Sequence, residues 1–110
     1  MNTLTQTFSA LSDDTRLAVV EQLMRDGEQP AGALGGIADI SGPAMSRHLK
    51  VLREAGLIKQ RIDGTRRLYS VRPEALRAIS DWTIQHQKFW EASLDRLHDF
   101  LSQQDETQDG

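Results

Sequence analysis

The feature that most constrains the fold is an amphipathic helix pattern that runs directly into a β-hairpin pattern. Ser41-Gly42-Pro43 is a typical helix start, with serine as the N-cap and proline in the first turn. Gly56 is placed to end this helix as the left-handed residue after its C-cap. Two β-type runs follow, Leu57 to Ile62 and Arg66 to Val71, and Asp63-Gly64-Thr65 joins them as a hairpin turn. The pattern predicts a mainly helical chain with one small hairpin.

The predicted helix after Ser41 has an apolar face and a basic face. At helical spacing the apolar side holds Met45, His48, Leu49 and Leu52, and we expect His48 to be a packed, hydrogen-bonded structural residue. Ser46, Arg47, Lys50 and Arg53 lie on the other side. Residues 43–72 hold eight basic and two acidic residues, so this segment carries +6 in a chain of net charge −3. Such a segment indicates a polyanion partner, and a solvated charged face is the alternative.

The remaining patterns are helical. Leu4, Phe8 and Leu11 predict a short amphipathic helix, and Ser12 is placed to cap a second one that ends at Gly27. Between Pro30 and Ile40, a short helix is suggested by Leu34, Ile37 and Ala38 and weakened by three glycines, Gly32, Gly35 and Gly36. A long helix is predicted from Pro73 to about Leu101, followed by a flexible polar tail over residues 103–110.

Two helices, a glycine-containing turn and a following hairpin constitute a winged helix-turn-helix, with element order α-α-α-α-β-β-α. A recognition helix presents short polar and basic groups to base edges of double-stranded DNA, which fits Ser46, Arg47, Lys50 and Arg53. The hairpin is the wing. We expect Arg61, Arg66 and Arg67 to cluster at its tip and to bind phosphates or enter the minor groove, because adjacent like charges are unfavourable unless an anion balances them.

The last predicted helix has more apolar residues than a small winged helix can cover. We interpret this surplus as a homodimer interface, formed by residues 1–11 and 73–102 around a DNA-binding core of residues 12–72, within one domain of 1–110. The interface residues are Leu4, Phe8, Leu11, Trp82, Phe89, Trp90, Leu94 and Leu97. The alternative is a pocket for an unknown small-molecule effector, lined by Trp82, His86, Phe89 and Trp90.

Three stretches of the sequence resemble one known family. Ala10 to Arg16, Met45 to Ile58 and Asp63 to Val71 look like the ArsR/SmtB winged-helix transcriptional regulators. The resemblance covers roughly residues 8–101. It implies a homodimeric DNA-binding repressor that uses its first and last helices as the dimer interface.

The metal sites of that family are missing from the sequence. The chain has no cysteine, so Gln29 to Gly36 lacks the Cys-x-Cys of metal-sensing members. On the last helix, Asp81-x-Thr83 leads to Leu94-x-x-Leu97 in place of the family's histidine and glutamate ligands. His86 and His98 are about 18 Å apart along one helix, so they cannot share a metal within a chain. We therefore expect no metal site and no cofactor, with an inter-subunit histidine site as the alternative.

Other function classes have little support in the sequence. No nucleophile–base–acid set is evident, so an enzyme is not expected. The longest apolar run is Leu17 to Val20, and the N-terminus shows no secretory signal, so we expect a cytoplasmic protein without membrane contact. A winged-helix scaffold that binds an acidic protein is the alternative to a DNA-binding regulator. Steep salt dependence and displacement by duplex DNA would distinguish the two.

Overall fold

The computed structural model describes the backbone of residues 3–108 and the side chains of residues 3–104. The chain divides into two compact units, Met1–Ala78 and Ile79–Gly110, where the sequence predicts one domain. The elements follow in the order α1 (Thr3–Leu11), α2 (Asp14–Asp26), β1 (Gln29–Pro30), α3 (Gly42–Glu54), β2 (Ile58–Asp63), β3 (Arg66–Val71), α4 (Pro73–Gln85) and α5 (Gln87–Gln108). None of the described helices is long and apolar enough to cross a membrane.

The N-cap of α2 is Asp13, so the prediction of Ser12 is wrong by one residue. The Asp13 carboxylate accepts a hydrogen bond of 3.0 Å from the backbone N–H of Arg16. Ser12 instead donates its hydroxyl to the Ser9 carbonyl at 2.7 Å, and so satisfies the end of α1. The predicted end at Gly27 is confirmed, because this glycine has a φ of +79°.

The short helix predicted between Pro30 and Ile40 is not an α-helix. A single 3₁₀ turn, Ala31–Leu34, is followed by turns and bends up to the start of α3. The physical reason is the cost of three glycines in one short helix, since each disfavours helix by roughly 1 kcal/mol relative to alanine. Leu34 is nevertheless completely buried, so the 3₁₀ turn is held by its side chain.

Helix α3 has the predicted boundaries and the predicted apolar face. The Ser41 hydroxyl accepts from the backbone N–H of Ala44 at 3.2 Å. At the other end, the N–H groups of Gly56 and Leu57 donate to the carbonyls of Arg53 and Leu52, which is a Schellman motif. The core of the first unit is formed by the buried residues Ala10, Val19, Val20, Leu23, Leu34, Met45, Leu49, Leu52, Leu57, Ile58, Tyr69 and Ala75.

The wing belongs to a three-stranded antiparallel sheet with the order β1-β3-β2. The predicted hairpin is confirmed, and its turn has Gly64 at a φ of +64°. The sequence does not predict β1, in which Gln29 pairs with Tyr69 and Pro30 with Leu68. A two-residue strand that contains proline has no alternation from which it could be recognised.

The predicted long helix after Pro73 is two helices, interrupted at His86. In a continuous helix the backbone N–H of His86 would donate to the Trp82 carbonyl. Here the His86 imidazole Nδ1 donates to that carbonyl at 2.7 Å, and the backbone N–H donates to Thr83 at 3.2 Å. A side chain thus replaces a helical hydrogen bond and breaks the ladder.

The predicted flexible tail over residues 103–110 is helical as far as Gln108. Glutamine and glutamate are good helix formers, and neither glycine nor proline occurs in the chain between residue 74 and residue 109. Residues 109 and 110 lie outside the described part of the chain.

Candidate nucleic-acid interface

A basic groove lies between α3 and the sheet. Its volume is about 600 Å³. The groove is lined by Ser46, Lys50, Arg53, Glu54, Ile58, Lys59, Gln60, Arg67, Tyr69 and Arg72. This lining includes three of the four predicted recognition-helix residues and one predicted wing residue, Arg67. The fourth predicted helix residue, Arg47, is exposed on α3 outside this lining. The structure therefore brings the recognition helix and the wing together into one surface.

Most of the positive charge in this groove is not compensated by the protein. Lys50 is 3.9 Å from the carboxylate of Glu54, and both side chains are well exposed. Within the part of the chain that the structure describes, Arg53, Arg67 and Arg72 form no ion pair. Lys59 forms none either, but its charge attracts the Glu28 carboxylate and lowers the pKa of that group. Several unpaired cations facing one groove are the arrangement that an extended polyanion neutralises.

The three wing arginines do not form the predicted cluster. Residues opposite each other in an antiparallel pair point to the same side of the sheet. Arg67 pairs with Ile62 and lines the groove, whereas Arg66 pairs with Asp63 and Arg61 pairs with Leu68 on the opposite face of the sheet, outside the lining. Of the residues on that opposite face, Lys59 does line the groove. The alternation of side chains along each strand therefore separates Arg67 from the other two.

Arg61 is paired with Glu28 on the surface of the protein. Its guanidinium donates to both carboxylate oxygens, at 2.6 Å and 3.2 Å. This hydrogen-bonded pair lowers the pKa of Glu28 and raises the pKa of Arg61. Glu28 therefore supplies one negative charge beside Arg61, and the predicted contact of Arg61 with DNA stays a prediction.

His48 connects the recognition helix to the start of α2, which agrees with the hydrogen-bonded structural role predicted for it. Arg16 donates to His48 Nδ1 at 3.3 Å and, through Nε, to the Ala10 carbonyl at 2.6 Å. His48 Nδ1 is also 3.8 Å from the Asp13 carboxylate. The hydrogen bond from the backbone N–H of Arg16, followed by the charge of the Arg16 guanidinium, lowers the pKa of Asp13. These contacts orient α3 while its basic face stays in solvent.

Six groove-lining residues are absent from the predicted site, and two of them are the acidic Glu54 and the buried Ile58. Lys59 and Arg72 lie in the segment of net charge +6 but were not assigned to the site, and Gln60 and Tyr69 carry no charge that would have identified them. The strand register could have placed Gln60 and Tyr69, because they are cross-strand partners on the side of Arg67.

Known proteins with similar sequence and fold are regulators. The helix-turn-helix domain family matches residues 11–61. An HTH-type transcriptional regulator of Mycobacterium tuberculosis is 40% identical over 87 residues, which are 79% of this chain and 78% of that protein. The arsenical resistance operon repressor of Escherichia coli is 36% identical over 88 residues, covering 76% of this chain and 75% of the repressor. A crystal structure of an ArsR family transcriptional regulator has a TM-score of 0.72 at 30% identity, with 81% of this chain and 91% of the other covered.

The chain belongs to the ArsR family. It is a transcriptional regulator with a winged helix-turn-helix fold, which confirms the predicted family and fold class.

The second unit of this ArsR-family regulator exposes its apolar residues. No side chain between residues 79 and 104 is buried. Phe89 is 59% exposed and Trp90 is 44% exposed, and the rings of these two residues meet edge to face at a centroid distance of 5.0 Å. Leu94 and Leu97 are more than half exposed. Four predicted interface residues therefore lie on an open apolar surface.

The predicted interface residues of α1 are placed differently from one another. Leu11 packs against the core of the first unit, and Leu4 is half-buried. Phe8 is exposed. In α1 the buried positions are Thr7 and Ala10, so the predicted apolar stripe only partly coincides with the face that packs on the core.

The second unit also has an apolar hollow of about 380 Å³. Trp82 and Trp90 line it as predicted, but His86 and Phe89 do not; the other lining residues are Thr83, Ile84, Gln87, Glu91 and Leu94. Trp82 and His86 are instead in ring contact, with centroids 4.8 Å apart. Among the described residues, no three His, Asp or Glu side chains are grouped as a metal site would require.

Proposed function

We propose that this regulator is a homodimeric repressor that binds an inverted repeat in double-stranded DNA. The observation that carries the proposal is the basic groove, in which Ser46, Lys50 and Arg53 of α3 and Arg67 of the wing share one surface. The family membership supports transcriptional regulation, and the uncompensated charge of the groove supports a phosphate-bearing partner. Catalytic chemistry is not part of this proposal, and DNA binding implies a cytoplasmic protein.

The recognition helix and the wing have different roles in the proposed complex. Ser46 and Arg47 are exposed in the N-terminal half of α3, the part of a recognition helix that reaches base edges in the major groove. Lys50 and Arg53 lie one and two turns further along, where contacts to phosphates accompany base contacts. Arg67 binds the backbone or the adjacent minor groove from the wing. Arg61 positions the wing through Glu28, and Arg61 and Arg66 stay part of the proposal as wing residues that contact phosphates.

The apolar surface of α5 supports dimerisation. A helical unit without a buried side chain cannot be stable by itself, because most helix stability in proteins comes from packing of an apolar face. A second copy would cover Phe89, Trp90, Leu94 and Leu97. The predicted contributions of Trp82 and of Leu4, Phe8 and Leu11 stay part of the proposal. Two-fold symmetry then requires two half-sites about 10 bp or a multiple apart.

The role of Arg67 is tested by fluorescence anisotropy on specific and scrambled duplexes at several salt concentrations. Arg67→Ala should weaken binding to all sequences and reduce the slope of log K against log salt by about one for each lost phosphate contact. Arg47→Ala should cost about 1–3 kcal/mol and relax sequence preference at one position in each half-site. Arg25→Ala is the matched control, since Arg25 is an exposed arginine of α2 that faces Asp26.

Two results would contradict the proposal. If Arg25→Ala and Arg67→Ala reduced DNA affinity and the salt slope equally, the basic groove would not be the DNA-binding surface. If duplex DNA failed to compete with an acidic protein for the wild-type chain, the basic segment would serve a protein partner instead.

The apolar hollow supports a second candidate role, in which an uncharged small molecule acts as an effector. Its volume is at the lower end of the range of ligand sites, and two tryptophans line it. Tryptophan fluorescence during titration with apolar aromatic compounds would detect such binding. Unchanged emission together with dimer formation would assign the hollow to the interface alone.

A further inference from the structure

The wing has an exposed apolar residue close to its tip. The Ile62 side chain is 67% exposed, which is the largest value for any big apolar side chain in the described part of the chain. It precedes Asp63 and the Gly64 turn. Solvent-facing positions of an antiparallel strand are usually polar, so an isoleucine at this position stands out.

Ile62 lies on the side of the wing that faces the basic groove. It is the direct cross-strand partner of Arg67, so both side chains project from the same face of the sheet. Arg67 lines the groove, and the next residues towards α3 on this face are Gln60 and Tyr69, which also line it. The apolar side chain therefore continues the groove surface out to the tip of the wing.

The charge around Ile62 indicates what covers it. An apolar protein surface would have to bring an uncharged patch against the unpaired Arg67 and bury that charge, which is costly. DNA offers both kinds of contact at once: phosphates for the arginine, and the apolar sugars and base edges of the minor groove for the isoleucine. Apolar side chains are used in this way by proteins that bind the minor groove.

We propose that Ile62 is the apolar minor-groove contact of the wing and that, together with Arg67, it determines how the wing fits the DNA. This inference rests on the proposed DNA-binding function. It assigns to Ile62 a contribution that differs in kind from that of the arginines. An apolar contact releases no counterions, so it strengthens binding without changing the salt dependence.

The test compares Ile62→Ala and Ile62→Thr with the wild type on a duplex that the wild type selects from a random-sequence pool. Threonine keeps the β-branched shape that suits a strand but has a hydroxyl in place of apolar surface. Both variants should bind roughly three- to tenfold more weakly, the loss expected for two or three methylene groups left only partly covered. The slope of log K against log salt should equal that of the wild type, whereas Arg67→Ala lowers it. Met24→Ala, which changes an exposed apolar residue of α2, should bind like the wild type.

Three outcomes overturn the inference. They are wild-type affinity in both Ile62 variants, a reduced salt slope in either of them, and weaker binding that occurs only in a variant with a lowered melting temperature. Failure of the wild type to select any duplex would instead contradict the proposed function. The two failures are therefore distinguishable.

Discussion

Residues of the same type have different roles in the wing because of their position along the strands. Arg61 and Arg67 are both exposed arginines near the hairpin turn. The register places Arg67 on the groove side and Arg61 on the other side, within 2.6 Å of Glu28. In the proposed complex Arg61 therefore positions the wing through its surface pair with Glu28, and the unpaired Arg67 contacts the DNA.

The Glu28–Arg61 pair predicts a pH dependence of stability. Because Arg61 lowers the pKa of Glu28 below its ordinary value of 4.5, the ionised carboxylate stabilises the folded state. This contribution is complete above the ordinary pKa and is lost as the pH falls through the lowered one. Glu28→Gln should melt at a lower temperature than the wild type at pH 7, and the difference should disappear at pH values well below 4.5.

The control for this prediction is Glu54→Gln. Glu54 is an exposed carboxylate 3.9 Å from Lys50, a looser contact than that of Glu28. The thermal melting curve of Glu54→Gln should follow that of the wild type both at pH 7 and at pH values well below 4.5. A pH-independent difference between wild type and Glu28→Gln would show that the ion pair is not the cause.

The stability of two elements depends on the backbone conformation of a glycine at the end of each. The 3₁₀ turn at Ala31–Leu34 stands where a helix-turn-helix has its first helix, and Gly35 follows it with φ −65° and ψ −19°, values that any residue adopts. A Cβ there would meet its nearest atom, the Gly32 carbonyl oxygen, at an ordinary 3.5 Å. Gly56 has a φ of +77°, which only glycine adopts without strain.

These two glycines predict stability changes of opposite sign. Gly35→Ala should raise the free energy of unfolding by about 0.4–1 kcal/mol, because alanine restricts the unfolded chain at no cost to the folded one. Gly56→Ala should lower the free energy of unfolding by about 1 kcal/mol, because it strains the Schellman motif that ends α3. Urea unfolding with a common m-value measures both changes. A loss of stability in Gly35→Ala would mean that the turn needs its glycine.

At the scale of the whole molecule, the exposed face of α5 predicts the oligomeric state. The wild type should sediment with about twice the chain mass of 12.3 kDa at micromolar concentration. Trp90→Glu should shift the population to monomer, because a dimer would bury an unpaired charge at a cost of several kcal/mol. Gln85→Glu, at an exposed position of α4, adds the same charge without removing apolar surface and should leave the dimer intact. A monomeric wild type would contradict the prediction.

The local patterns of the sequence determined most of the fold. The serine cap and the Gly56 end of α3, its buried stripe of Met45, Leu49 and Leu52, and the Asp-Gly hairpin are interactions between residues near in sequence. They could be predicted because capping, helical spacing and turn chemistry act over a few residues. The family could also be recognised, because its motifs lie in those same segments.

Only the tertiary structure decided which charges remain free for a partner. Glu28 and Arg61 are 33 residues apart, and no pattern near either residue in the sequence predicts that they form an ion pair. The short strand β1 forms only because β3 offers it an edge, and the break at His86 depends on one imidazole finding the Trp82 carbonyl. The sequence by itself determined that residues 43–72 carry a net +6, but the fold decided that Arg67 faces the groove and that Arg61 does not. The physical reason is that an ion pair forms only where two charged groups lie close together in the folded protein. Sequence patterns report neighbours along the chain and do not contain that distance.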